Sequence, residues 1–283
     1  MAQGAALLVS ALNISANPHP PGIYIRLLAK VAGIKINFRA KDSAKITKPV
    51  EDKKNAGVYT GRILVWTDID TNAPWLDDER DEILSDADKA KINIPRNAKP
   101  NYRVFNYVFK EKGHRLYVEA RNEFGESFTV NTAQRVFFGL LDRAALAEKI
   151  DLDVTPVPKS GAVERVLALP GLRHLHIRVV LPNADVIDEA KRKRVLERLT
   201  DAKAKQLDET YTKKAGEDHL VATPEILETA KIAAENGFVT GVGRKNGKRV
   251  DASTTKQPRI ETIPSNQAGG SFLSRLMGSI GLF

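Results

Sequence analysis

The chain has 283 residues, 42% hydrophobic and 28% charged, with a formal net charge of +9. That composition describes a globular protein of one large domain or two ordinary ones, and the basic balance favours a polyanion such as nucleic acid or an acidic membrane surface. Cysteine is absent, which excludes disulfides, thiolate zinc sites and a cysteine nucleophile and fits a reducing, cytoplasmic setting.

Residues 5–12 are apolar, but no basic segment precedes them and they are too few to span a bilayer. They read as part of a strand over 4–14, not as a signal peptide. Pro20 and Pro21 then sit where a helix can start, and the spacing predicts a helix over 23–31 that Gly33 ends. Residues 35–39 suit a short strand, 40–56 a polar loop and 58–69 a strand. Residues 68–88 invert the charge, with nine acidic residues against one basic residue, Arg80; Ile83 and Leu84 anchor a short helix there.

The strongest strand signal is PNYRVFNYVFKEKGHRLYVEARN, residues 100–122. Two alternating runs rich in aromatic and β-branched residues flank Glu111-Lys112-Gly113, which predicts a central hairpin on which the rest packs. A helix capped by Asn131 or Thr132 runs to about 149, with Val136, Phe137, Leu140, Leu141 and Ala144 on one stripe. Then come an extended run at 152–157, a short helix at 162–169 and a strand at 172–181. The longest helix is expected over 185–214, and another over 224–235 between Thr223-Pro224 and Asn236-Gly237. Asn246-Gly247 marks a type I′ hairpin after a strand at 238–244, and 259–263 suits one more strand. This order predicts an α+β fold of mostly antiparallel mixed sheet with packed helices. It falls into two lobes, 1–156 and 157–264, followed by a flexible linker and apolar tail over 265–283.

Catalytic chemistry is hard to find. Asp68 and Asp70, with the acids at 77–82, offer carboxylates for a divalent cation, and a metal-dependent nuclease would need such a cluster. Their spacing matches no calcium loop, and acids after a strand are commonly turn formers. His174 and His176 project from one face of a strand, but no third ligand follows by spacing. No catalytic residue, metal site or cofactor is assigned.

Basic features carry more. Taken as one helix, 185–214 places Lys191, Arg194, Arg198 and Lys205 within about 60° of one another. Val195, Leu196, Leu199, Leu207 and Tyr211 take another sector. The second hairpin adds Arg244, Lys245, Lys248 and Arg249 at its turn, and a β-ribbon with a basic tip can grip a phosphate backbone. In the tail, a helix would gather Phe272, Leu273, Leu276, Met277, Ile280 and Phe283 within about 140°. That stripe can dock on the chain's own body, enter a groove of a second copy or partner, or lie on a membrane surface; the expectation is a partner chain, either another copy or a membrane-linked component.

TDIDTNAPW (67–75), NIPRNAKPN (93–101), the hairpin with HRLYVEARN and AAENGFVTGVGR (233–244) resemble an uncharacterised bacterial family of about this length, known as a domain of unknown function. The resemblance covers most of 5–264. The layout also resembles the RexA-like phage-exclusion proteins in its central hairpin, following helix, long second-half helix and late helix before terminal strands. That resemblance implies dimers that bind DNA without strong sequence preference and act with a membrane partner. The expectation is therefore a non-enzymatic, sequence-nonspecific DNA-binding protein of phage defence, a homodimer or other homo-oligomer. The competing readings are the metal-dependent nuclease and a protein adaptor.

Overall fold

The computed structural model describes residues 6–95, 97–181, 190–263 and 271–280, with the side chains of all of these except 190–194, 196, 279 and 280. In chain order, β1 (Leu7–Asn17) leads to α1 (Ile23–Lys30), β2 (Ile36–Arg39), β3 (Asp42–Ile46), β4 (Val50–Glu51) and β5 (Val58–Thr67). The acidic segment holds β6 (Leu76–Asp77), β7 (Glu82–Ile83) and the single turn α2 (Asp86–Lys89). Then follow β8 (Arg103–Lys110), β9 (Arg115–Arg121), α3 (Val130–Leu146), β10 (Asp151–Pro156) and α4 (Ala162–Leu167). The last third is β11 (His174–Val180), α5 (Ala190–Asp201), β12 (Gln206–Thr212), α6 (Pro224–Glu235), β13 (Gly237–Lys245), β14 (Lys248–Ser253), β15 (Ile260–Ile263) and α7 (Phe272–Ile280).

The fold is α+β with antiparallel sheets. A nine-stranded sheet runs β10-β1-β9-β8-β5-β3-β2, with β15 also on β1 and β4 also on β5; a four-stranded sheet runs β12-β11-β13-β14. The expected central hairpin is β8–β9. Phe105, Tyr107 and Phe109 are fully buried against α1 and α3, the amphipathic helices that cover this face. Tyr107 needs Gly61 opposite it, because a Cβ there would lie 2.3 Å from the phenol ring. β15, expected in the second lobe, pairs with β1 of the large sheet.

Several expectations change. Residues 40–56 are not all loop: β3 pairs with β5 through small buried residues, Ser43 and Ala44, which carry little strand signal. Ile83 is in a ribbon strand, and the short helix starts after Ser85, whose hydroxyl accepts from Asp88 N. The cap of α3 is Thr129, earlier than Asn131 or Thr132. The long helix over 185–214 is corrected most. α5 stops at Asp201, and Lys203 takes φ 51° with Ala204 N bonded to Leu199 O at 2.9 Å. That is a left-handed C-terminal cap without the glycine that would announce it. Thr210, Tyr211 and Thr212 then favour a strand, β12, which inserts Leu207 and Tyr211 into the same core that a longer helix would have reached.

The tail docks on the body, one of the placements the sequence leaves open: α7 covers the second face of the large sheet. Leu273 and Leu276 are buried with Leu7, Val9, Val58, Val108 and Ile263, while Phe272 and Met277 pack at the margin. The side chain of Ile280 and all of Phe283 lie outside the described residues. Among the described residues no helix is long and apolar enough to cross a membrane. Leu276→Ala should lower the free energy of unfolding by about 2–5 kcal/mol, measured by urea denaturation. An unchanged midpoint would mean that the tail is a free arm.

Candidate nucleic-acid interface

The four-stranded sheet has one packed face. Leu175, Ile177 and Val179 of β11 point into a core shared with Val166 of α4, Leu199 of α5 and Ile226, Ala230 and Ala233 of α6. By the pleat, His174, His176 and Arg178 point the other way. Their cross-strand neighbours are Thr212, Thr210 and Asp208 on β12 and Val242, Thr240 and Phe238 on β13. All nine remain exposed or half-exposed.

Asp208 organises the centre of this outer face. Arg178 Nε donates to its Oδ1 at 2.7 Å, His176 Nε2 lies 2.8 Å from the same oxygen, and Gln206 Nε2 donates to Oδ2 at 2.8 Å. Burial would raise the pKa of Asp208; Arg178, His176 and Gln206 outweigh it and hold the carboxyl below its ordinary value. The planar groups so fixed flank one ring. The Arg178 guanidinium lies 5.1 Å from the centre of Phe238, and the His176 ring meets Phe238 edge-on at 5.1 Å. Sequence alternation puts His174, His176 and Arg178 on one face, but the partner Phe238 lies sixty residues away and only strand pairing brings it in.

At one end of this face is the β13–β14 turn. Asn246 at φ 50° and Gly247 at φ 75° make the type I′ turn that the sequence announces. The register sets Arg244 opposite Arg249 and Lys245 opposite Lys248, and all four are exposed. Among the described residues none of the four has an acidic partner within ion-pair distance; Asp251, farther down β14, is held by Lys256 at 2.7 Å. The base of the tip is fixed, since Arg244 N donates to Pro170 O at 3.0 Å and a Cβ at Gly243 would meet that oxygen at 2.3 Å.

The helical row of cations is not assembled as expected. Arg198 on α5 is 66% exposed and lies 3.4 Å from Glu209. Lys205 stands beyond the end of α5, 3.5 Å from Asp151. Lys191 and Arg194 are on α5, with side chains outside the described residues.

Acidic and histidine candidates resolve differently. Asp68 accepts from Ser43 and from Trp66 Nε1 at 3.1 Å, and lies 2.7 Å from Lys35 and 3.4 Å from Lys99. Asp70 caps the turn at Asn72 N at 2.9 Å. Among the described residues no three His, Cys, Asp or Glu side chains converge as metal ligands. A cluster that sequence reading passes over lies at a cavity of about 1120 Å³. There His19, Tyr24 and the buried His114 pack ring on ring, with Tyr24 Oη 3.1 Å from His19 Nδ1. Its contacts tie the start of α1 to the β8–β9 turn.

The family model described as "Domain of unknown function (DUF4747)" matches residues 6–278. The chain belongs to that family. No curated protein matches it. For this DUF4747 chain the RexA-like resemblance therefore finds no support, and phage exclusion and a membrane-linked partner rest on that resemblance alone.

The Asp68 cluster makes a pH prediction. Burial would raise its pKa, but the hydrogen bonds from Lys35, Ser43, Trp66 and Lys99 prevail and hold it well below 3.8. A carboxylate depressed on folding contributes stability that is whole above its unfolded value, about 3.9, and is lost as pH falls through the folded value. Asp68→Ala should therefore destabilise by about 1–3 kcal/mol at pH 7. In denaturation curves at several pH values the gap from the unsubstituted protein should persist to pH 4 and close only below it. A gap that closes above pH 5 would contradict this assignment.

Proposed function

We propose that the protein binds DNA without sequence preference, through phosphate contacts at the β13–β14 tip. The observation that supports this most is the pairing of like charges. Cations directly opposite each other across an antiparallel pair destabilise it, and here two such pairs, Arg244–Arg249 and Lys245–Lys248, follow one another. Among the described residues no acid lies within ion-pair distance of either pair; Asp251 acts on Arg249 only at longer range and is itself paired with Lys256, whereas Arg198 and Lys205 each have an acid in contact. A polyanion wrapping the tip would neutralise Arg244–Arg249 on one side of the ribbon and Lys245–Lys248 on the other. The clamped base adds a second support, because a positioned cluster loses less entropy on binding than a mobile arm.

Affinity should then fall steeply with salt, each phosphate contact contributing about −0.7 to −0.9 to the slope of log K against log salt. Lys245→Glu combined with Lys248→Glu should weaken binding to unrelated sequences alike and flatten the slope by about 1.4–1.8. Fluorescence anisotropy with labelled DNA between low and moderate salt reads both. Unchanged affinity in the double variant would remove the tip from the interface.

A further inference from the structure

Building on the nucleic-acid reading above, we infer that the preferred ligand is a single strand, whose bases stack across the outer face of the four-stranded sheet while its backbone reaches the cationic tip. The inference rests on a division of labour along that face. At its centre the charge of Arg178 is already answered by Asp208 at 2.7 Å. A phosphate gains little there. What the centre does offer is flat surface: the guanidinium of Arg178 over Phe238, the His176 imidazole at the edge of the same ring, and both polar groups held by one carboxylate. Unstacked bases seek such planes, on aromatic rings, histidine and arginine alike.

Around the centre stand short hydroxyl side chains that do not shade the rings: Thr210 and Thr212 on β12, Thr212 Oγ1 lying 3.3 Å from His174 Nδ1, and Thr240 on β13, which donates to Ser253 Oγ at 3.2 Å and keeps acceptor capacity for a base edge. The cations without an acid in ion-pair contact lie elsewhere, at Arg244 and Arg249. Along β13, Arg244 is six residues from Phe238 and therefore on the same side of the pleat, roughly 20 Å away. Planar, charge-balanced centre and cationic end thus share one continuous surface. A duplex keeps its bases stacked inside and could use only the tip. A single strand uses both.

The test compares one sequence as single-stranded DNA, as single-stranded RNA and as duplex DNA, by anisotropy at fixed low salt with the full chain. Three proteins are compared: the unsubstituted chain, Phe238→Leu, which keeps apolar bulk but loses the ring, and His176→Ala on the exposed surface. Circular dichroism and thermal melting confirm that each is folded. Single strands should bind at least tenfold more tightly than duplex. Phe238→Leu should cost single-strand affinity about tenfold and His176→Ala several-fold, with duplex binding changed less than twofold. Loss for DNA alone or for both DNA and RNA single strands supports the stacking surface and reports which sugar it accepts. Equal affinity for single strand and duplex would overturn the inference. So would substitutions at 238 and 176 that leave single-strand binding intact while reversal of the tip charges weakens it; the DNA-binding reading would then survive alone. No binding of any form at low salt would overturn both.

Discussion

The first strand, β1, is hydrogen-bonded along both edges, and the rest of the architecture depends on how those edges are shared. One edge is taken by β9. The other is divided between β15, over 7–10, and β10, over 12–17. Three strands, each more than a hundred residues along the chain from its partners in β1, therefore meet on eleven residues. Alternate side chains of β1 serve two different cores, Leu12 and Ile14 beneath α1 and α3, and Leu7 and Val9 beneath α7. Its polar positions add a third role. Asn13 Nδ2 donates to Glu235 O at 3.2 Å and Asn236 Oδ1 at 3.0 Å, and Asn17 Nδ2 donates to Leu181 O at 3.0 Å. Those acceptors are the end of α6 and the residue after β11, so β1 also fixes the small sheet to the large one.

Anchoring the small sheet by one end leaves its outer face and its hairpin tip to the outside. The helices that follow β11 and β12 pack on the inner face, where Leu199, Ile226, Ala230 and Ala233 are buried. The outer face then needs no apolar cover and carries His174, His176, Arg178 and the threonines instead. Burying aromatic and aliphatic groups on one side while leaving polar, planar ones on the other is the ordinary economy of a half-solvated antiparallel sheet. The like-charge pairs at the tip are not part of that economy, since they oppose the hairpin that displays them. This is why they, rather than the larger number of paired surface cations, carry the functional reading.

Much of the fold was legible because local signals agreed. Period-2 alternation located β8, β9 and β11, a continuous apolar run located β1, and Thr223-Pro224 and Asn246-Gly247 marked a helix start and a turn by well-defined chemistry. The failures have particular causes. Lys203 ends α5 in a left-handed conformation that lysine does not advertise, so β12 was read as helix and Lys205 was placed in a row it does not join. The tail is amphipathic whether it docks on its own sheet or on a partner; only the buried face formed by Val9, Val108 and Ile263 decides. At the candidate interface the four tip residues were legible from the turn signal. Phe238 was not, because its pairing with Arg178 is set by register across sixty residues. Asp208 is hidden for a different reason: β12 follows α5 without a glycine or proline to end the helical pattern, so its pairing with Arg178 carries no local signal.

Ultraviolet crosslinking of a single-stranded oligonucleotide to the full chain, with the attached peptides located by mass spectrometry, tests the central claim most directly. The account predicts crosslinks within residues 174–178 and 238–249, on the face that holds His176, Phe238 and Arg244. Crosslinks confined to α5 or to the nine-stranded sheet would contradict it.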